Sequence, residues 1–432
     1  MTALAYADFI EQKRGAAATD AIPNTDIPAR LFPFQVALTE WLLDRGRGAL
    51  FADCGLGKTL VQLAWADNVH LHTGGNVLVL APLAVSPQTQ REAEACGLTA
   101  TVCRTAADIR PGINVANYER LHHFADQPWG GVVLDESSIL KAFDGRTREA
   151  LTVFAKGVRY RLCCTATPSP NDYEELGGHS EFLDVMGRRQ MLSEFFVNDG
   201  LAAAHWRLKR HGQGQYWRWI ATWARMLRTP ADLGYDAGGF DLPPLTVNTH
   251  AVDADTVSED RLFGVPVATL SERREARRES ISERVEVAAE IANATEGPCV
   301  VWCDLNAESQ ALAAAIPDSV EVTGSQPTDD KEARLTAFGS GDARVIVSKP
   351  SIAGWGLNWQ HCADVVFVGL SDSYEQYYQA VRRCWRFGQT RPVTVTVIAS
   401  SREQTVLENI RRKERDAVQM FEQVIDAIGE RE

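Results

Sequence analysis

The sequence predicts an α/β protein built from two lobes, each on a parallel β-sheet. The chain has 432 residues, too long for one ordinary domain and enough for two of about 150–200 residues each. Short β-branched runs alternate with helix-length segments, a pattern typical of strands buried on both faces of a parallel sheet. This pattern occurs in two series, which are separated by a break between about Asn171 and Pro298.

Each series contains five strand candidates. In the first series they are Ala49–Phe51, Val77–Leu80, Asn114–Ala116, Val132–Leu134 and Tyr160–Cys164. In the second series they are Cys299–Cys303, Val320–Val322, Arg344–Val347, Val365–Val368 and Val393–Ile398. The segments between them are long enough for the helical crossovers that parallel strands require.

Composition divides the interrupted middle of the chain into two parts. Residues 174–240 are rich in aromatic and basic side chains, and we predict a helical insertion there. Residues 241–297 are predicted as a linker and a connecting helix, because glycine and proline pairs near residue 240 precede a stretch of interleaved Arg and Glu. The first lobe is then residues 1–173, and the second is residues 298–432 with a C-terminal helix.

The overall composition is that of an ordinary globular protein, with 45% hydrophobic and 23% charged residues. The formal net charge of −13 excludes a uniformly basic surface. Any contact with nucleic-acid phosphates must therefore come from local basic patches. The nine cysteines form no repeated Cys-x-x-Cys pair, which predicts free thiols in a reducing compartment and no structural zinc.

We expect neither export nor a membrane partner. The N-terminal stretch contains acidic residues and no continuous apolar run, unlike a signal peptide. No run of about 18 apolar residues occurs in the sequence, so no membrane span is predicted.

Residues 52–59, Ala-Asp-Cys-Gly-Leu-Gly-Lys-Thr, follow a predicted strand and precede a predicted helix. A glycine-rich turn at a helix N-terminus directs several backbone N–H groups toward one point, where they can hold phosphates. Lys58 is predicted to reach the β- and γ-phosphates, and the Thr59 hydroxyl to bind Mg²⁺. The predicted cofactors are therefore ATP and Mg²⁺. The predicted binding residues in this loop are Gly55, Leu56, Gly57, Lys58, Thr59 and Leu60.

A pair of acids supports this interpretation. The apolar run Gly131–Leu134 ends in Asp135 and Glu136. At the carboxyl edge of a parallel sheet, Asp135 is predicted to hold Mg²⁺ and Glu136 to orient and deprotonate the attacking water. An isolated Asp-Glu pair after a strand is commonly only solvent-facing, but its position after a phosphate-binding loop favours the catalytic role.

In chain order, these segments and several others resemble the motifs of superfamily 2 helicases. Ala52 begins Ala-x-x-Gly-x-Gly-Lys-Thr, which is similar to motif I. Leu31–Gln35 resembles the adenine-reading Q motif, which implies that Gln35 contacts the base. The other matches in the first half are Val77–Pro82 with motif Ia, Asp135–Ser138 with motif II and Thr165–Pro168 with motif III.

The second half continues the resemblance. Val300–Cys303 resembles motif IV, Ser348–Gln360 motif V, and Gln379–Gln389 motif VI of the Swi/Snf-type branch. The resemblance implies two tandem RecA-like P-loop lobes with a helical insertion after motif III. It further implies that Gly356 contacts nucleotide and that Arg383 and Arg386 supply cations to the transferring phosphoryl group.

Two positions depart from the family pattern. Ser138 replaces the usual His of motif II, so the coupling between motifs II and III is expected to differ in detail. Arg382 stands where remodelling enzymes often have Asp, which leaves open how the three arginines of motif VI divide their roles.

Nucleic-acid contacts are expected from two sources. The family resemblance implies sequence-neutral phosphate contacts from loops marked by Pro82, Thr167 and Gly356. Residues 201–229 also combine basic and aromatic side chains and include Arg207, Lys209 and Arg210. The alternative for this segment is a packed tryptophan stripe, and a mixture is favoured, with the tryptophans buried and the basic residues facing the substrate.

The function these features predict is an ATP-dependent DNA helicase or translocase that acts on duplex DNA. An RNA helicase and a nucleotide-gated DNA clamp without turnover remain alternatives, and a further protein that loads the motor is compatible with the sequence. The compact chain resembles small Snf-like proteins of bacteriophages and prophages, which implies the cytoplasm of a bacterium or of a phage-infected cell.

Overall fold

The computed structural model describes residues 20–430 except 24, 83–84, 142–144, 199–205, 253–277, 354–357 and 401–403. The chain divides into two compact units. The first unit comprises Met1–Ala237 together with Ala417–Glu432, and the second comprises Gly238–Asp416.

The described part of the first unit contains a parallel sheet. Its strands are β1 Arg47–Ala52, β2 Asn76–Ala81, β3 Ala100–Val102, β4 Ile113–Asn117, β5 Trp129–Asp135, β6 Tyr160–Thr165 and β9 Ala224–Leu227. Their order across the sheet is β3-β4-β2-β5-β6-β1-β9. A separate antiparallel pair consists of β7 Phe196–Asn198 and β8 Trp206–Leu208. The helices are α1 Pro33–Arg45, α2 Lys58–Thr73, α3 Ser86–Ala95, α4 Arg146–Ala155, α5 Leu176–Phe182, α6 Arg188–Phe195 and α7 Gln213–Ile220.

Strand register brings three motif ends to one edge of this sheet. β1 pairs with β6 so that Phe51 lies opposite Thr165, and β5 pairs with β6 so that Asp135 lies opposite Cys164. Because the strands are parallel, the residues that follow them emerge at the same carboxyl edge. The glycine-rich loop, the acidic pair and motif III are therefore neighbours.

The described part of the second unit also contains a parallel sheet. Its strands are β10 Leu245–Val252, β11 Cys299–Cys303, β12 Ser319–Val322, β13 Val345–Ser348, β14 Asp364–Val368 and β15 Val393–Ser400. Their order across the sheet is β10-β15-β14-β11-β13-β12. Its helices are α8 Ile281–Ala294, α9 Asn306–Ala315, α10 Thr328–Ser340, α11 Pro350–Ala353 and α12 Tyr374–Val381. The final helix, α13 Gln404–Gly429, begins in this unit and ends in the first.

The predicted fold class, two tandem RecA-like lobes with parallel sheets, is confirmed, and all ten predicted strands are present. The structure differs over residues 174–240, which are not purely helical. β9 joins the first sheet beside β1, with Ala224 opposite Ala49. Its sequence, Ala-Arg-Met-Leu, has no β-branched residue, so sheet pairing rather than local propensity determines its conformation.

Two further elements differ from the predicted division into domains. β10 lies in the predicted linker and pairs with β15, with Leu245 opposite Val393. Four of its eight residues are β-branched, so a local strand signal was present, but the glycine and proline pairs beside it favoured a linker. The C-terminal part of α13 belongs to the first unit, where Phe421 and Val424 are buried in the main hydrophobic core. Amphipathic spacing predicts that a helix has an apolar face but not which core that face joins.

Candidate nucleotide site

The glycine-rich loop between β1 and α2 depends on backbone conformations that only glycine adopts readily. Gly55 has φ +91° and Gly57 has φ +75°, both in the left-handed region. Gly57 caps the N-terminus of α2. A Cβ atom at Gly57 would collide with Nε2 of Gln35, so the loop needs glycine there for space as well as for conformation.

Gln35 holds this loop from the side of α1. Its Nε2 donates to the Leu56 carbonyl over 2.9 Å, and its Oε1 accepts from the Phe32 N–H over 3.0 Å. Gln35 is buried, whereas the Phe32 ring beside it is 45% exposed. The structure thus gives Gln35 a role in shaping the phosphate loop, and its contact with adenine stays a prediction.

Lys58 and Thr59 open helix α2, where both side chains are half-buried. The Lys58 ammonium group donates to the carbonyls of Ala52 and Asp53, over 2.9 and 3.3 Å. The lysine therefore folds over the loop that it closes, and its charge lies where phosphate oxygens are expected. Leu60, in the same first turn, is also half-buried.

The acidic pair lies at the end of β5, against helix α2. Asp135 is 6% exposed, and its Oδ1 accepts from Gln62 Nε2 over 2.7 Å. Gln62 is one helical turn after Lys58. Burial raises the pKa of the Asp135 carboxyl, while the Gln62 hydrogen bond and the Lys58 charge act in the opposite direction.

The Asp135 carboxylate and the Thr59 hydroxyl fit Mg²⁺, which prefers oxygen ligands. Because burial disfavours the charged carboxylate, a divalent cation beside it would offset this cost. In the part of the chain that the structure describes, no group of three or more His, Cys, Asp or Glu side chains could hold a metal ion.

Glu136 follows in a strained conformation, with φ +55°, which is uncommon for a residue other than glycine. Its Oε2 accepts from the Thr165 hydroxyl over 3.3 Å. The same hydroxyl accepts from the Thr167 N–H over 3.1 Å. Thr165 therefore links the predicted catalytic carboxylate to the backbone of the motif III loop. This link does not require the histidine that the family usually has in motif II, where this chain has Ser138.

Two buried side chains behind the acidic pair were not anticipated from the sequence. The Tyr118 hydroxyl donates to the Asp135 carbonyl over 2.6 Å. His179 Nε2 forms a 3.1 Å hydrogen bond with the Ser137 hydroxyl, and burial lowers the pKa of His179 to about 3. The imidazole is therefore neutral at physiological pH. The one available signal for Tyr118 was its position directly after β4, at the same sheet edge.

In the second unit, the motif VI segment combines the end of α12 with the turn after it. The Arg382 guanidinium stacks over Trp385 at 4.3 Å and Tyr378 at 5.3 Å. Arg382 is therefore held among aromatic rings. Arg383 is buried and Arg386 half-buried, and their predicted role on the phosphoryl group stays a prediction.

Gln389, which ends the motif VI resemblance, stabilises this turn. Its Nε2 donates to the carbonyls of Cys362 and Cys384, over 2.8 and 3.3 Å. Its Oε1 accepts from the N–H groups of Thr390 and Arg391. Gly356, from the predicted motif V, lies outside the described residues.

The described part of residues 201–229, the basic and aromatic segment, contains both buried and exposed side chains. Trp217, Trp219 and Trp223 are buried in the core of the first unit, as the packing interpretation predicts, so they are not available to stack on bases. Lys209 Nζ donates to the carbonyls of Ser193 and Glu194, each over 2.8 Å, and so satisfies the last turn of α6.

The remaining predicted nucleic-acid residues differ in exposure. Arg207 and Arg210 are exposed, and Pro82 is half-buried after β2. Thr167 is buried, and its N–H is engaged by the Thr165 hydroxyl instead of being directed to solvent. The nucleic-acid contacts of all these residues stay predictions.

Part of the second unit is similar in sequence to a known family of domains. Residues 283–388, from α8 through the motif VI turn, match the helicase conserved C-terminal domain. The matched residues all lie in the second unit. This match confirms the predicted resemblance to superfamily 2 helicases over that range.

Two individual proteins are similar over most of the chain. The sequence is 24% identical to "Putative protein p41" of Acyrthosiphon pisum secondary endosymbiont phage 1 over 457 residues, covering 90% of this chain and 96% of that protein. This relative is a phage protein, in agreement with the predicted resemblance to phage members. A Sulfolobus solfataricus SWI2/SNF2 ATPase core in complex with dsDNA is similar with 17% identity and a TM-score of 0.45, covering 87% of this chain and 89% of that chain.

Two properties concern the described residues as a whole, namely the state of the cysteines and the character of the helices. All nine cysteines lie within the described ranges, and each is a free thiol. Within those ranges, no helix combines the length and apolar character that crossing a membrane requires.

Proposed function

We propose that this protein is an ATP-dependent DNA motor that couples ATP hydrolysis to movement along duplex DNA. The proposal rests on the proximity of a phosphate loop and an acidic pair within the first unit. The Lys58 ammonium lies over the loop, and Gln62 on the same helix binds Asp135. Together with a helicase C-terminal domain in the second unit, this arrangement supports a helicase-type ATPase.

The residues of the first unit have separable roles in the proposed reaction. The backbone N–H groups of the loop and Lys58 bind the phosphates, and Thr59 and Asp135 hold Mg²⁺, which neutralises phosphate charge when it is bound. Glu136 orients the attacking water and accepts its proton. Thr165 connects Glu136 to motif III, so that a change at the phosphates reaches the loop predicted to contact nucleic acid.

The nucleic-acid part of the proposal rests on different residues. Residues 379–389 resemble motif VI of the duplex-translocating branch, which favours duplex DNA over RNA. Arg207 and Arg210 are exposed cations near one another in the sequence, and such cations bind phosphates without regard to base sequence. A motor that advances along any sequence requires contacts of this kind.

A nucleotide-gated clamp without turnover is the alternative from a different functional class. The complete set of Lys58, Thr59, Asp135 and Glu136 disfavours it, because a binding-only protein has no need for the carboxylate that activates water. An RNA helicase would share the site in the first unit and differ only in the nucleic acid that stimulates it.

One experiment separates these possibilities. The rate of ATP hydrolysis is measured without nucleic acid and then with single-stranded DNA, duplex DNA and RNA of equal length. We expect duplex DNA to give the largest stimulation, with a steep loss as salt concentration rises. Greater stimulation by RNA would refute the duplex assignment, and ATP binding without turnover under any condition would favour the clamp.

A further inference from the structure

Tyr118 contacts the backbone of the acidic pair without belonging to any motif of the proposed ATPase. It follows β4, and its side chain reaches the end of β5, although β2 lies between these two strands. The hydroxyl donates to the carbonyl of Asp135 over 2.6 Å. With 7% exposure, the side chain has little access to water as an alternative partner.

This carbonyl belongs to the peptide group that joins Asp135 to Glu136. The orientation of that peptide group and the φ angle of Glu136 together determine the direction of the Glu136 side chain. Glu136 has φ +55°, a left-handed conformation that is strained for a residue with a side chain. Such a conformation persists only where surrounding contacts hold it.

We propose that Tyr118 is a positioning residue for Glu136, whose strained backbone it holds by fixing the Asp135–Glu136 peptide group. The inference rests on the proposed function, because it concerns the carboxylate that activates water. Tyr118 is not among the residues proposed to bind ATP or the attacking water, and its hydroxyl donates to a backbone carbonyl. Its effect reaches the reaction through Glu136, whose carboxylate also accepts from Thr165.

A purely structural role for Tyr118 is the competing explanation, since its ring belongs to the core of the first unit. Tyr118→Phe removes the hydroxyl and keeps the ring. Tyr216→Phe is a matched control in the same unit, because Tyr216 is also buried and its hydroxyl donates to the Tyr173 carbonyl over 2.8 Å. Both variants lose one hydrogen bond from a tyrosine hydroxyl to a backbone carbonyl, but only the first loses a bond to the acidic pair.

The test compares the two variants with the wild-type protein. For Tyr118→Phe we expect kcat for ATP hydrolysis to fall about tenfold or more, because small displacements of a reacting group are costly. The KM for ATP and the affinity for a fluorescent ATP analogue should change less than about twofold, since the phosphate loop does not depend on Tyr118. Both variants should lose similar thermal stability, and Tyr216→Phe should keep the wild-type kcat.

Two further readouts separate positioning from general destabilisation. In the nucleotide-free protein, backbone hydrogen exchange over residues 132–138 should accelerate in Tyr118→Phe and not in Tyr216→Phe. In a Glu136→Gln background, Tyr118→Phe should cause no further loss of single-turnover rate, because the tyrosine acts through that carboxylate.

The inference is overturned if Tyr118→Phe keeps the kcat of Tyr216→Phe, if it loses nucleotide affinity together with kcat, or if it slows the Glu136→Gln protein further. Unchanged exchange over residues 132–138 also contradicts it. A wild-type protein without ATP turnover would refute the proposed function, and the inference with it. A wild type that hydrolyses ATP beside an unaffected Tyr118→Phe would refute the inference alone.

Discussion

Gly57→Ala tests how strictly the phosphate loop requires glycine. The substitution places a methyl group on a backbone with φ +75°, which costs about 1–2 kcal/mol for an L-residue. The new Cβ would also collide with Gln35 Nε2. Moving that amide breaks its 2.9 Å hydrogen bond to the Leu56 carbonyl, at a cost of about 1 kcal/mol. The expected loss in unfolding free energy of the first unit is therefore roughly 2–3 kcal/mol.

Gly74→Ala is the matched control, because Gly74 lies at the other end of the same helix with φ +67° and no atom within 4 Å of the added Cβ. Urea unfolding, monitored by tryptophan fluorescence, should show that Gly74→Ala loses only the part of the unfolding free energy that comes from backbone conformation. Gly57→Ala should lose more stability and bind a fluorescent ATP analogue at least about tenfold more weakly. Adding Gln35→Ala to Gly57→Ala should relieve the collision and recover part of the extra stability loss. Equal losses at Gly57 and Gly74 would refute the steric argument.

Three further predictions follow from other parts of the first unit. Lys58→Ala should remove ATP turnover, while the circular dichroism spectrum and the melting temperature stay close to those of the wild type. Near-normal ATP hydrolysis by this variant would refute the assignment of the phosphate loop. His179 stays neutral in the fold with a pKa of about 3, so the unfolded chain gains a proton that the folded chain does not as pH falls below about 6.5. Its contribution to stability is complete above that pH and should fall by about 2 kcal/mol between pH 7 and pH 5. Urea unfolding at these two pH values should show a smaller difference for His179→Phe, and an unchanged pH dependence would count against the buried neutral imidazole. Replacing both Arg207 and Arg210 by Gln should weaken the stimulation of ATP hydrolysis by duplex DNA and its salt dependence, while basal hydrolysis is retained. Lys209 is left intact because its ammonium group donates to backbone carbonyls of α6. A double variant that duplex DNA stimulates as strongly as wild type would show that these arginines do not bind DNA.

Much of the fold was predictable because its signals are local. The predicted strands are short runs rich in apolar and β-branched residues, and residues 52–59 combine glycine spacing with lysine and threonine in a pattern that has one main physical use. The acidic pair was predictable because Asp135 and Glu136 directly follow the buried apolar run Gly131–Leu134. In each case the residues that carry the signal are consecutive in the chain.

The features that could not be predicted depend on partners distant in sequence. β9 is a strand because β1 offers its edge, although Ala224–Leu227 have little strand propensity. The C-terminal end of α13 packs in the first unit, and its apolar spacing does not specify that core. Tyr118 lies seventeen residues before Asp135, and only the folded sheet brings its hydroxyl to that carbonyl.

Glu136→Gln tests most directly whether the first unit hydrolyses ATP with this acidic pair. The substitution keeps the shape of the side chain and removes the base. We predict that the wild-type protein hydrolyses ATP and is stimulated by duplex DNA. The variant should bind a fluorescent ATP analogue with similar affinity, retain DNA longer in the presence of ATP, and turn over at least about a hundredfold more slowly. A wild-type protein without turnover, or a Glu136→Gln variant that hydrolyses ATP at close to the wild-type rate, would contradict the account.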